Sequence, residues 1–203
     1  MALVVITGGA RSGKSSVAQR LAKQVANRPT VVVFGSGESD PEMARRIERH
    51  RADRPEGWVT VEATDSVEWT GRVPEDGLLV VDCLGTLLSH VMAEVAIDLG
   101  SGESGSETLS SAAFEDEVEH RFAALVGWMV KRWNHTLIVT NEVGAGVVPA
   151  HVSGRVFRDV LGRANRSLTD RADAAYLVVA GRCIQLTTLP CEPRWPGVKG
   201  RKT

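Results

Sequence analysis

The chain has 203 residues and a formal net charge of -1, with 24 Lys and Arg against 25 Asp and Glu. That length suits one sizeable domain with a well-buried core, and the balanced charge gives no electrostatic case for nucleic acid or an anionic membrane as the main partner. Three widely spaced cysteines, Cys83, Cys183 and Cys191, form no CxxC and suit a reducing cytosol better than a disulfide framework.

Apolar runs alternate with helical patterns along the chain. "LVVIT" (3–7) reads as a strand buried on both faces, being β-branched, continuous and bounded by glycines. Glycines and charges follow it too soon for a signal peptide, and no apolar run of about 18 residues occurs, so a cytoplasmic protein without membrane insertion is expected. Val17, Leu21 and Val25 mark a helix over 15–26, closed off by Pro29. "TVVVFG" (30–35) is a second strand, 42–52 a polar helix and "WVTVEA" (58–63) an alternating third strand. "LLVVD" (78–82) is a fourth, again fully apolar until its last residue.

Leu84–Leu99 reads as helical, and the Gly/Ser-rich stretch 100–111 as a flexible linker without order of its own. Phe114, Val118, Phe122, Leu125, Met129 and Trp133 form a helical stripe. "TLIVTNE" (136–142) is a fifth strand. Val156, Val160, Leu161, Ala164 and Leu168 give another helix, "AAYLVVAG" (174–181) a sixth strand and "RCIQLT" (182–187) a short returning one. Such alternation predicts an α/β fold, a mostly parallel central sheet covered by helices on both faces. Residues 1–188 are read as a single domain, and 189–203, proline-broken and basic at its end, as a loose tail.

The chemistry concentrates in "GGARSGKS". It contains Gly8-x-x-x-x-Gly13-Lys14-Ser15 between a predicted strand and a predicted helix. In that context Gly8, Gly9, Ala10, Arg11, Ser12 and Gly13 wrap backbone N–H groups around a polyphosphate. Lys14 reaches the β/γ oxygens, and the Ser15 hydroxyl ligates Mg²⁺. A second acid must hold that metal through its water shell, and Asp82 at the end of a buried strand fits; its plainer reading is a cap on the following helix. The chain therefore reads as a Mg-nucleotide protein, with the phosphoryl acceptor left open. His90, His120, His135 and His151 pair with no Cys or acid at ligand spacing and read as structural.

"EMARRIERHRADRPEGW" (42–58) sets His50 among Arg45, Arg46, Arg49, Arg51 and Arg54, balanced by acids in the same stretch. On local charge alone it reads as a solvated helix face. Taken with "TGGARSGKS" (7–15), "LLVVDCLGTLLS" (78–89), "TNEVGAGVVP" (140–149) and "GRVFRDVLGRANRSL" (154–168), however, it resembles one family in order and spacing. That family is the bifunctional adenosylcobinamide kinase/adenosylcobinamide-phosphate guanylyltransferase of cobalamin biosynthesis.

The resemblance implies a RecA-like P-loop NTPase fold and two reactions. A nucleoside triphosphate, GTP or ATP, phosphorylates the aminopropanol hydroxyl of adenosylcobinamide. GTP then gives GMP to that phosphate through a guanylyl-histidine, which by the match falls on His50. Guanine-nucleotide contacts fall on Gly8 to Ser15, on Phe34, Gly35 and Ser36, on Arg51, Ala52, Asp53 and Arg54, on Glu62 and on Asp82. Family subunits often assemble as trimers, so a homo-oligomer is implied. Two positions depart from the family: Asp82 stands where Glu is usual, and Arg49 where a histidine often precedes the reactive one.

A histidine nucleophile must be neutral, and the neighbouring arginines lower its pKa. Arg46 lies four residues before His50 and shares a helix face with it. The helix C-terminus opposes this, but several full charges outweigh a half charge. A kinase-only small-molecule enzyme, with His50 as a mere phosphate contact, is the alternative. A nucleotide-switched binding protein or DNA-stimulated ATPase is disfavoured by the balanced charge and the lack of a basic, aromatic groove.

Overall fold

In a computed structural model of the chain, which describes residues 1–26, 28–34, 56–100, 112–132 and 134–191, each apolar run becomes a strand. The strands are β1 (Leu3–Gly8), β2 (Thr30–Phe34), β3 (Val59–Ala63), β4 (Leu79–Asp82), β5 (Thr136–Val139), β6 (Ala174–Val179) and β7 (Arg182–Gln185). Between them lie α1 (Lys14–Val25), α2 (Leu84–Asp98), α3 (Ala112–Lys131) and α4 (Val152–Arg171), with short 3-10 turns at Glu68–Arg72 and Leu186–Thr188. The expected helix over 42–52, with His50, and the positions Gly35, Ser36 and Arg51 to Arg54 lie outside the described residues. So do 101–111 of the linker, Trp133 and 192–203 of the tail.

The strands form one seven-stranded sheet in the order β3-β2-β4-β5-β1-β6-β7. All neighbours run parallel except β7, which returns antiparallel beside β6. Central strands are apolar on both faces because both faces are covered. Val5, Val32, Val81 and Ile138 enter one core with α2, α3 and α4, while their sequence neighbours Ile6, Val31, Val80 and Leu137 enter the other with α1. The two-residue period of a strand divides each run between the two layers. Edge strand β3 is less covered: Val59 is exposed at its start, and the strand then alternates, burying Val61 and Ala63 and exposing Glu62 between them.

The larger core is anchored by Trp69, fully buried, whose ring meets Trp128 edge-on at 5.3 Å between centroids. The Trp69 indole N–H donates to the Ser66 carbonyl at 2.8 Å, so its polar edge is not left unpaired. No helix among the described residues is long and apolar enough to cross a membrane.

The chain leaves β1 toward β2 on one side and leaves β5 toward β6 on the other, with α1 and α4 on opposite faces. Strands β1 and β5 are neighbours, and the loops that follow them leave for opposite faces of the sheet. In open parallel sheets such a parting of adjacent loops opens a crevice at the carboxyl ends of the strands, where ligands bind.

Candidate nucleotide site

The turn from β1 into α1 lies at that crevice. Gly8 leaves the strand at φ 154°, where a Cβ would overlap the Val178 carbonyl. Arg11 (φ 56°) and Gly13 (φ 98°) take left-handed conformations, so the loop curls on itself before the helix begins. Ser12 N–H donates to the Gly9 carbonyl at 3.3 Å, and the Gly181 N–H donates to the Ser12 carbonyl at 2.8 Å. The β6–β7 turn thus braces the loop from behind, and a Cβ on Gly13 would stand 3.3 Å from Gly181 Cα. Two glycines facing each other permit that approach.

Lys14, only 8% exposed, folds over the loop and donates from Nζ to the Gly9 carbonyl at 2.7 Å. A buried ammonium needs such partners, and a phosphate oxygen in the loop would be a stronger one. The Ser12 hydroxyl is enclosed with no hydrogen-bond partner among the described residues. Curled backbone, enclosed hydroxyl, lysine and helix N-terminus together form a cradle for anionic oxygen.

Ser15, in the first turn of α1, donates its hydroxyl to Asp82 Oδ1 at 3.3 Å. This brings together the two residues expected to serve the metal. They are hard oxygen donors at one point of the cradle, which fits Mg²⁺ held by one hydroxyl and, through water, one carboxylate. Among the described residues no group of three or more His, Cys, Asp or Glu could hold a metal by itself, so any ion here would draw on phosphate and water. That is how Mg²⁺ is usually bound beside a nucleotide.

Phe34 and Glu62 sit farther along the same edge. Phe34 is 2% exposed, with its ring 5.6 Å from Trp69 and 6.0 Å from His90. Its side chain therefore belongs to the core. Glu62 lies on β3, four strand spacings or roughly 19 Å from β1. Its carbonyl accepts a hydrogen bond from Arg72 Nη2 at 2.8 Å. The described positions among those expected to contact nucleotide therefore lie along one edge of the sheet.

One cluster at this edge lies within "TNEVGAGVVP" and "GRVFRDVLGRANRSL" but includes none of the expected site residues. After β5 the chain continues alongside β1: Thr140 N–H donates to the Ile6 carbonyl at 2.9 Å and Glu142 N–H to the Gly8 carbonyl at 3.0 Å. Asn165 of α4, 8% exposed, accepts from the buried Thr140 hydroxyl at 2.7 Å and donates to the Asn141 carbonyl at 2.8 Å. An amide inside the apolar stripe of α4 was the available signal, since a polar residue there needs a buried partner.

The family model described as cobinamide kinase / cobinamide phosphate guanyltransferase matches residues 4–186. The bifunctional adenosylcobalamin biosynthesis protein CobU of Salmonella typhimurium is 33% identical over 183 residues, 88% of this chain and 96% of that protein. The bifunctional adenosylcobalamin biosynthesis protein CobP of Pseudomonas aeruginosa is 30% identical over 179 residues, 87% of this chain and 92% of that protein. Among solved structures, a prototypical ATPase from a type III secretion system superposes with a TM-score of 0.50 at 13% identity, covering 87% of this chain and 50% of that one. That last likeness concerns the fold alone and agrees with a P-loop NTPase architecture.

Proposed function

The chain belongs to the cobinamide kinase / cobinamide phosphate guanyltransferase family, and we propose that it performs both reactions at the crevice between β1 and β5. It phosphorylates adenosylcobinamide with a nucleoside triphosphate, then transfers GMP from GTP to adenosylcobinamide phosphate, giving adenosylcobinamide-GDP. The observation that carries the reading is the curled loop from Gly8 to Ser15, with Lys14 folded over it and Ser15 joined to Asp82, in a chain matched over 4–186.

Loop N–H groups and Lys14 hold the phosphates, orienting the γ-phosphoryl group for attack. Ser15 and Asp82 would hold Mg²⁺, which would supply charge against the negative phosphate oxygens. In the second reaction the neutral imidazole of His50 attacks the α-phosphorus of GTP and pyrophosphate leaves. The phosphate of adenosylcobinamide phosphate then takes the GMP from His50. Arg51, Ala52, Asp53 and Arg54 hold the nucleotide nearby, as do Gly35 and Ser36 with the Phe34 backbone, and Glu62 contacts its far end. The support for these roles is the motif match, together with the placement of Phe34 and Glu62 on the loop's edge of the sheet.

The enzyme is read as a cytoplasmic homo-oligomer, a trimer as in its family, with residues 1–188 as its single domain and 189–203 as a dispensable tail. Incubation with Mg-GTP and adenosylcobinamide, followed by mass spectrometry of corrinoids and protein, tests the whole reading. Expected are adenosylcobinamide phosphate, then adenosylcobinamide-GDP, and protein heavier by one GMP. Phosphorylated corrinoid with neither GDP product nor protein adduct would leave only the kinase.

A further inference from the structure

Phosphorylation of a hydroxyl requires a place for its proton. The acceptor oxygen bonds to the γ-phosphorus, the bond to the nucleoside diphosphate oxygen breaks, and the O–H proton must pass to a base within reach. Three carboxylates named above lie at the carboxyl edge of the sheet. Glu62 stands on the outermost strand, and Asp82 is joined to the Ser15 hydroxyl that belongs with the metal. Glu142 stands at the crevice itself.

Its position is fixed from two sides. The Glu142 N–H donates to the carbonyl of Gly8, the first residue of the phosphate loop, at 3.0 Å. Just before it, Asn165 clamps Thr140 and Asn141 from α4. The segment therefore cannot swing away from the loop without breaking buried hydrogen bonds. The side chain is exposed, and Oε1 accepts from the Gly144 N–H at 2.8 Å, which holds the carboxylate in one orientation. Oε2 has no hydrogen-bond partner among the described residues.

We propose that Glu142 is the proton acceptor of the kinase reaction. Oε2 takes the proton of the acceptor hydroxyl as that oxygen attacks the γ-phosphorus, and the neutral carboxyl returns it to solvent after the diphosphate leaves. Oε1 stays on Gly144 throughout, and Lys14 on the phosphates. This assignment rests on the kinase activity proposed above.

The two oxygens allow a clean test. Glu142→Gln keeps an oxygen to accept from Gly144 but cannot take up a proton; Glu142→Ala loses both functions. Single-turnover phosphorylation of adenosylcobinamide is measured at saturating Mg-GTP, with GTP affinity and thermal unfolding measured in parallel. Glu142→Gln is expected to slow the transfer about a hundredfold or more, with GTP affinity and unfolding temperature close to those of the unaltered protein. A rate within about threefold of the unaltered protein, while Glu142→Ala is impaired, would reduce Glu142 to closing the turn and overturn the proposal. So would a defect that vanishes at saturating GTP, which would make Glu142 a binding group. If the unaltered protein does not phosphorylate adenosylcobinamide at all, the kinase reading falls first and this assignment with it.

Discussion

The hydroxyl of Ser15 lies 3.3 Å from Oδ1 of Asp82, so the first turn of α1 meets the end of β4 across the intervening strand β5. The pair brings a neutral and an anionic oxygen to one point beside the phosphate loop. Asp82→Asn keeps the hydrogen-bonding shape and removes the charge. It should raise the Mg²⁺ concentration needed for half-maximal kinase activity on the order of tenfold or more, as losses of groups that hold a metal through water do. Titration of activity with Mg²⁺ at fixed GTP reads this directly. An unchanged midpoint would transfer the role to another acid.

Lys14 makes a separate prediction, because its charge is buried and aimed into the loop. Lys14→Ala leaves the loop glycines in place and removes the cation from the β/γ oxygens. Kinase turnover should fall on the order of a hundredfold or more, by comparison with other losses of electrostatic groups that act on a transition state. Lys14→Met, which keeps much of the side-chain volume, should fall as far. A methionine variant near full activity would show that packing, rather than charge, is what the site needs from this position.

Asn165 should matter for stability before it matters for rate. Replacing it with Leu strands the fully buried Thr140 hydroxyl and removes a donor from the Asn141 carbonyl. A buried group left unpaired costs roughly 1–3 kcal/mol and the half-buried Asn141 carbonyl less, so a loss of about 2–4 kcal/mol is expected in urea unfolding. Adding Thr140→Val removes the stranded hydroxyl and should recover part of that loss. A double variant no more stable than Asn165→Leu would mean that the Thr140 contact carries little.

The sequence shows some of this plainly and hides the rest for physical reasons. A strand buried on both faces has to be written in β-branched residues, so "LVVIT" and "LLVVD" are legible with no knowledge of their neighbours. The phosphate loop is legible because curling backbone around phosphate demands glycines at fixed offsets. Strand order is not: nothing in "TVVVF" says that β2 will lie beyond β5 and β4 from β1. Residues 136–142 read as one strand, yet β5 is assigned only over Thr136–Val139. Residues 140–142 still bond to β1 through alternate N–H groups, but there the chain turns to Asn165, whose amide answers to partners 24 and 25 residues away. Phe34 shows the same limit, since a strand-end residue beside a ligand and one pointing into the core look alike until the face is known.

His50 carries the remaining prediction. If its imidazole is the nucleophile, protein incubated with Mg-GTP gains one GMP, keeping label from the α-phosphate and losing label from the γ-phosphate with pyrophosphate. A phosphorus–nitrogen bond to imidazole is labile to acid and survives mild alkali, which separates it from an acyl phosphate on Asp or Glu. His50→Asn should abolish both the adduct and guanylyl transfer, while Lys14-dependent phosphorylation of adenosylcobinamide stays measurable because that transfer needs no covalent intermediate. Arg46→Ala should slow adduct formation by loosening the hold on the triphosphate, without removing the nucleophile. The order of effects is the discriminating result. An adduct that persists in His50→Asn would return the arginines around it to a solvated helix face and require another residue to carry the guanylyl group.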